Sequence, residues 1–307
     1  MTRRTVAFVF PGQGSQRTGM LDSVPRVEGF DSLLAEAERN SGLPLAKLAA
    51  EGPAEALADT RAAQPLLFLA DWAWAVALRD AGVVPDVIAG HSLGELASLA
   101  FAGSFSVTDG LALVCERSRL MAAAAAGAPG TMAAVLGMDG DTIAASVDGI
   151  AGVWVANDNA EGQVVISGTH DGIERATRAL SEAGARKVVP LQVAGPFHSP
   201  LMAPAATAFA SVVESSPFDD AAVPVVQNTD PSPATDAGAL RGRLVRQISS
   251  PVRWRETMET FRHMGIGVII EAGPGAVLTG LARRIEGIEA IAAEGAGIEG
   301  VVEAVGA

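Results

Sequence analysis

Short unbroken apolar runs, each cut off by glycine or proline, alternate along the chain with longer stretches in which apolar residues recur every three or four positions. The short runs read as buried strands and the longer ones as helices packed over a sheet. Val6-Ala-Phe-Val-Phe10 is the first such strand and stops at Pro11-Gly12. Helical spacing follows over 31–40 and around 54–59, and Pro65 is expected to open a long apolar helix carrying Leu66, Leu69, Ala70, Ala73, Trp74 and Ala77. Trp72 and Trp74 read as packing residues. A second strand, Val87-Ile88-Ala89, runs into Gly90-His91-Ser92-Leu93-Gly94, after which Leu93, Leu96, Ala97, Ala100 and Phe101 repeat at helical spacing up to Gly103. Ser106-Val-Thr-Asp109 resembles a capping box and opens a helix to about residue 126.

From about Gly130 the texture changes. Strands are predicted over 131–136, 153–156 and 163–167 and a last one over 187–193, with helices over 139–148 and 170–183. The turn-rich Asn157-Asp158-Asn159-Ala160-Glu161-Gly162 separates the second and third of these strands. That order is βαββαβ, the ferredoxin-like split unit. The larger pattern resumes with a helix over 201–215, a strand over 224–227, a polar loop over 228–236 and helices over 237–248 and 251–264. A strand over 268–271 ends in Gly273-Pro274-Gly275, followed by a helical segment over 278–284, a short strand near 288–292 and a terminal amphipathic helix. The expected fold is therefore α/β. Residues 1–128 and 195–307 form a large domain with a hydrolase-like core and a mostly parallel sheet, and residues 129–194 form an inserted ferredoxin-like subdomain.

Composition narrows the function. A chain of 307 residues with 49% hydrophobic and 19% charged residues can bury a large core and is not disordered. With 22 basic against 35 acidic residues the net charge is −13, which disfavours nucleic acid as a partner. The single cysteine, Cys115, excludes an internal disulfide and a cysteine-based zinc cluster, and no two histidines have metal-ligand spacing. No signal-like segment and no run long enough to span a membrane is visible, since Asp71 interrupts the longest apolar stretch. A cytoplasmic, monomeric enzyme with no membrane partner and no bound cofactor is expected.

The chemistry centres on Ser92. G-x-S-x-G between a strand and a helix is the nucleophile elbow, whose glycines allow a sharp reversal that exposes the serine hydroxyl at the carboxyl edge of a sheet. The N–H of Leu93 then points toward the oxyanion formed when Ser92 attacks a carbonyl. Such a turn with an incidental serine is the competing reading. A serine needs a base, and there are four histidines. His91 should point away from its neighbour, His170 opens a helix in the inserted unit and His263 faces solvent, so His198, in a Gly/Pro-bounded loop, is the candidate. The loop Pro11-Gly-Gln-Gly-Ser-Gln16 has neither the Gly-Lys-Ser/Thr of a Walker loop nor the third glycine of a dinucleotide fingerprint. It remains a loop whose backbone can approach a ligand closely. Arg117 is unusual, because Leu113, Val114, Leu120 and Met121 surround it at helical spacing. Either its stem packs while its head reaches water, which is slightly favoured, or an anion pairs with it.

Phe10-Pro-Gly-Gln-Gly-Ser-Gln16, Gly90-His-Ser-Leu-Gly-Glu95, Phe197-His198, Leu244-Val-Arg-Gln-Ile248 with Pro251-Val-Arg-Trp254, and Glu271-Ala-Gly-Pro-Gly-Ala-Val-Leu-Thr-Gly280 occur in one order along nearly the whole chain. In these pieces the sequence resembles the malonyl-CoA:acyl carrier protein transacylases of type II fatty acid synthesis and the related acyltransferase domains of polyketide synthases. The resemblance implies a ping-pong transfer of malonyl from coenzyme A thioester to the phosphopantetheine thiol of acyl carrier protein. It implies Ser92 as nucleophile, His198 as base, and the main-chain carbonyl of Gln247 as the group orienting the imidazole. It also implies an oxyanion hole from the N–H groups of Gln13 and Leu93, and Arg117 on the malonyl carboxylate, with Asn159 assisting. Leu93 and Phe197 favour malonyl over methylmalonyl, whereas Pro196 departs from the alanine common in malonyl-type relatives. Acyl carrier protein is acidic, so docking on this acidic chain needs a local basic patch, for which Arg283, Arg284, Arg186 and Lys187 are candidates. Rival readings are a transferase with another acyl preference, a serine thioesterase or esterase with a triad acid between Ser92 and His198, and a noncatalytic carrier-protein adaptor.

Overall fold

Residues 4–306 are described by a computed structural model in which the chain forms two sheets. The strands, in chain order, are β1 Val6–Phe10, β2 Val87–Gly90, β3 Thr131–Leu136, β4 Val153–Ala160, β5 Gln163–Gly168, β6 Lys187–Pro190, β7 Val225–Gln227, β8 Asp230–Ala234, β9 Val268–Glu271 and β10 Glu289–Ala292. Six of them make a sheet of order β10-β9-β1-β2-β7-β8, parallel at every pairing except β7 with β8. The other four make an antiparallel sheet of order β4-β5-β3-β6.

The unbroken apolar runs have a direct cause. Val6, Phe8 and Phe10 of β1 enter one hydrophobic cluster, while Ala7 and Val9 enter another on the opposite face. A parallel sheet covered on both faces has no solvent side to mark with polar residues. Helix Thr60–Asp80 fills part of the β1-to-β2 crossover, since parallel neighbours need a long return path. The loops after β1, β2 and β7 therefore meet at one carboxyl edge, where open α/β sheets hold their ligands.

The predicted βαββαβ order is present as β3, helix Gly140–Val147, β4, β5, helix His170–Glu182 and β6. These elements share a core of their own, including Val135, Ile143, Val164, Ile166 and Leu180. Main-chain bonds from Val252 N–H to Ala156 O (2.8 Å) and from Asp158 N–H to Val252 O (2.9 Å) join them to the rest, as does the Arg255–Asp158 ion pair at 2.9 Å.

Several boundaries differ from expectation. The long helix starts at Thr60, because Asp59 accepts from Arg61 N–H and the buried Ala62 and Ala63 extend its apolar face, leaving Pro65 inside it. The expected polar loop after β7 contains β8, an edge strand whose Pro231 and Pro233 are tolerated because one side of the strand is unpaired. β4 continues through Asn157-Asp158-Asn159-Ala160, absorbing the extra residues in register shifts after Val155 and Asp158. β6 ends at Pro190, short of Val193. Among the described residues no helix is long and apolar enough to cross a membrane, and Asp71 is fully buried within its helix.

Candidate active site

β2 ends at Gly90, and helix Gly94–Phe101 begins four residues later. Between them Ser92 adopts φ 52°, a left-handed conformation that costs a non-glycine residue roughly 1–3 kcal/mol unless its surroundings hold it. They do. His91 N–H donates to Phe10 O (2.9 Å), and Ser92 N–H donates to Asn228 Oδ1 (2.7 Å). Asn228 Nδ2 donates to Gly90 O (2.6 Å), and Gln247 Nε2 donates to Ser92 O (2.8 Å). The elbow glycines are required by close approach. A Cβ on Gly90 would lie 1.9 Å from the carbonyl carbon of Gly94, and one on Gly94 would lie 2.1 Å from Phe10 O.

His198, itself at φ 55°, places Nε2 2.8 Å from Ser92 Oγ. Its Nδ1 lies 3.1 Å from Gln247 O and 3.2 Å from Ser250 O. Carbonyl oxygens only accept, so Nδ1 carries the proton and Nε2 is left to accept from the serine hydroxyl. Burial, and then the positive charge of Arg117, push the imidazole pKa down to about 3, so the ring is neutral near pH 7. No carboxylate bonds this ring among the described residues. Asp158, the acid a hydrolase triad would draw on, is paired with Arg255 at 2.9 Å.

Arg117 projects from helix Val107–Gly127 and is completely buried, which overturns the favoured expectation that its head reaches water. Gln64 Oε1 accepts from its Nη1 (2.7 Å), and Gln247 Oε1 accepts from its Nη2 (2.9 Å). Nη2 also reaches Ser92 Oγ at 3.3 Å, while Nε finds no acceptor among the described residues. These amide acceptors make burial of the head tolerable without neutralising it, and burial lowers its pKa to about 10.

The other predicted residues surround this cluster. Gln13 follows β1, and its side chain donates to Ala58 O and Thr60 Oγ1, both at 3.4 Å. A Cβ on Gly12 would stand 2.4 Å from His91 O, so glycine lets the first loop lie against the elbow. Among the described residues the N–H groups of Gln13 and Leu93 donate to no protein acceptor. Phe197 is buried beside His198. Asn159 meets His91 rather than Ser92, with its Oδ1 2.8 Å from His91 Nε2. His263 is exposed, as expected, and His170 opens its helix and is exposed too. Arg186, Lys187, Arg283 and Arg284 are exposed and take no part in the buried network.

Four contributors went unrecognised in the sequence: Gln64, Glu95, Asn228 and Ser250. Glu95 is fully buried, accepting from Asn228 N–H (Oε2, 2.7 Å) and from Gln227 Nε2 (Oε1, 3.1 Å), and so braces the residue that clamps the elbow. Gln64 carried a readable signal, a polar residue within an apolar helical stretch, the same anomaly that marks Arg117. Asn228 opens a polar loop and has no distinguishing pattern. Among the described residues no group of three or more His, Cys, Asp or Glu could hold a metal ion. The arrangement is a hydroxyl facing a neutral imidazole, with a buried unneutralised cation 3.3 Å from the same oxygen. Such an arrangement can acylate a serine, and a buried cation without a bonded acid can receive an anionic group.

Residues 7–294 match the acyl transferase domain family. The chain is 39% identical over 285 residues to the malonyl CoA-acyl carrier protein transacylase of Bacillus subtilis, covering 91% of this chain and 90% of that protein. It is 42% identical over 284 residues to the transacylase of the same name from Salmonella typhimurium, with 91% and 92% covered. Among solved structures, FabD from Acinetobacter baumannii superposes with a TM-score of 0.91 at 37% identity, covering 99% of each chain. A malonyl-transacylase in complex with its type II polyketide synthase acyl carrier protein superposes at 0.88 with 39% identity, covering 94% of this chain and 96% of that one. Similarity over this much of the sequence and of the fold makes this chain a member of the acyl transferase domain family, on the branch of the malonyl CoA-acyl carrier protein transacylases.

Proposed function

We propose that this acyltransferase moves a malonyl group from malonyl-CoA to the phosphopantetheine thiol of an acyl carrier protein through an ester on Ser92. The observation that carries this reading is the 2.8 Å contact of Ser92 Oγ with His198 Nε2 beside the buried head of Arg117. In the first half-reaction the Ser92 proton passes to His198 Nε2 as Oγ attacks the thioester carbonyl. The resulting oxyanion is held by the N–H groups of Gln13 and Leu93. Collapse breaks the C–S bond, and the departing sulfur of coenzyme A takes the proton from Nε2. In the second half-reaction the carrier thiol gives its proton to Nε2 and its sulfur attacks the ester. The C–O bond breaks and Ser92 recovers its proton. The carbonyls of Gln247 and Ser250 hold the Nδ1–H tautomer throughout. Arg117 takes the malonyl carboxylate, and Asn159 acts by orienting His91. Leu93 and Phe197 bound the acyl pocket on the malonyl side of the malonyl/methylmalonyl choice.

The large sheet, with its elbow after β2, supports a hydrolase-like core over 1–128 and 195–307. The strand order β4-β5-β3-β6 supports a ferredoxin-like subdomain over 129–194. Coenzyme A enters as a thioester substrate and no resident cofactor is called for. Intact-protein mass spectrometry after mixing with malonyl-CoA tests the function. One malonyl group should remain on the parent protein and leave on addition of phosphopantetheinylated carrier protein. No adduct, or coenzyme A release that ignores the carrier, overturns it.

A further inference from the structure

No acid is bonded to the buried head of Arg117 among the described residues. Among the described residues no carboxylate forms an ion pair with it, although it is completely buried. Its two acceptors through Nη1 and Nη2, besides the serine hydroxyl, are the amide oxygens of Gln64 and Gln247. Glu95 acts on it only through space, and its own oxygens are engaged by Asn228 and Gln227. Gln247 is tied to the elbow as well, through Nε2 to Ser92 O. Gln64 is tied differently. It sits on helix Thr60–Asp80, is fully buried, and turns its Nε2 toward Met121 Sδ at 3.5 Å, so that Oε1 faces the guanidinium at 2.7 Å.

We propose that Gln64 is a specificity-determining residue, because it anchors the Arg117 guanidinium with a neutral oxygen and so leaves that head without a bonded carboxylate, open to an acyl group that ends in one. The inference rests on the reading of Arg117 as the binder of that carboxylate. A glutamate at this position would offer the same oxygen in nearly the same place, yet it would form a buried ion pair and leave no charge to attract the substrate. An apolar residue of the same length would leave Nη1 without its acceptor and the guanidinium without its anchor. Selectivity is thus set by the charge of a residue one step behind the arginine, in contact with no reacting atom.

Gln64→Glu separates this from a packing role. Initial rates of Ser92 loading from malonyl-CoA and acetyl-CoA are measured by intact-protein mass spectrometry at pH 8. Wild type and Arg117→Ala serve as references: if Arg117→Ala keeps the wild-type malonyl-to-acetyl ratio, the underlying reading of Arg117 has failed, and the inference with it. With that reading standing, Gln64→Glu is expected to lose roughly 100-fold in malonyl loading at pH 8 while acetyl loading stays within about threefold. A malonyl-to-acetyl ratio unchanged from wild type, or equal loss of both activities, overturns the proposal. Should Gln64→Glu not fold, Gln64→Met is read instead. It should raise KM for malonyl-CoA about tenfold and spare acetyl-CoA, and equal effects on both would overturn the inference.

Discussion

At the level of single residues, the imidazole and one buried acid make opposite demands on pH. His198 is held neutral by burial and by the nearby Arg117 charge, with a pKa of about 3. Ser92 acylation should therefore show no acid limb near 6.5, the ordinary imidazole value. The kcat/KM for malonyl-CoA is expected to stay level from pH 8 to about 5 wherever circular dichroism shows the chain folded; an inflection at 6.5 would remove His198 as a buried base. The same depression affects stability. The unfolded chain binds this proton below about 6.5 and the folded chain does not, so the contribution is intact above 6.5 and is lost as pH falls from there toward 3. Asp71 runs the other way. Its carboxyl oxygens are buried without a partner, and burial, then the Glu271 charge, raise its pKa well above the ordinary value. The folded chain keeps that proton where the unfolded chain has released it, so stability falls as pH rises above about 4. Asp71→Asn should melt close to the parent at pH 4 and increasingly above it toward pH 8. Parallel melting curves across that range would show that Asp71 does not titrate in this way.

At the level of elements, the setting of Ser92 is the product of three strands and a helix brought together. The strand-turn-helix around Ser92 is legible from Val87 to Gly103, because apolar spacing and glycine placement both report local backbone. Its rigidity is not, since the clamps come from Phe10, Asn228 and Gln247, on segments far away in the chain. Gly94 records that junction, with Phe10 O, Phe10 C and Pro11 O at 2.1, 2.6 and 2.8 Å from a Cβ placed there. All three are main-chain atoms and cannot swing aside. Gly94→Ala should cost about 3 kcal/mol or more in denaturant unfolding and abolish Ser92 loading, because the first loop must separate from the elbow. A variant that unfolds like the parent and still loads would mean that the junction has slack. The missed strand β8 has a related cause: its Pro-x-Pro sequence is a poor strand signal, and only the exposed edge of the sheet accommodates it.

At the level of the whole molecule, a net charge of −13 would repel a carrier protein as acidic as the resemblance implies. The exposed pairs Arg283-Arg284 and Arg186-Lys187 are the proposed remedy. Charge reversal at Arg283 and Arg284 should raise KM for the carrier protein about tenfold at low salt while Ser92 loading by malonyl-CoA stays within about twofold, and the difference should shrink as salt is added. An unchanged carrier KM would move docking to another surface. Taken by itself, the amino-acid sequence determined most of the strands and helices and the elbow, and it singled out Ser92, His198 and Arg117 as candidates, because these follow from local spacing and from residues out of place in their own segments. Only the tertiary structure decided that Arg117 is sealed from water, that two glutamines rather than an acid receive it, and that Asn228 braces the serine. Those facts depend on which side chains arrive from distant segments. Burial turns them into chemistry by setting how much charge each group retains.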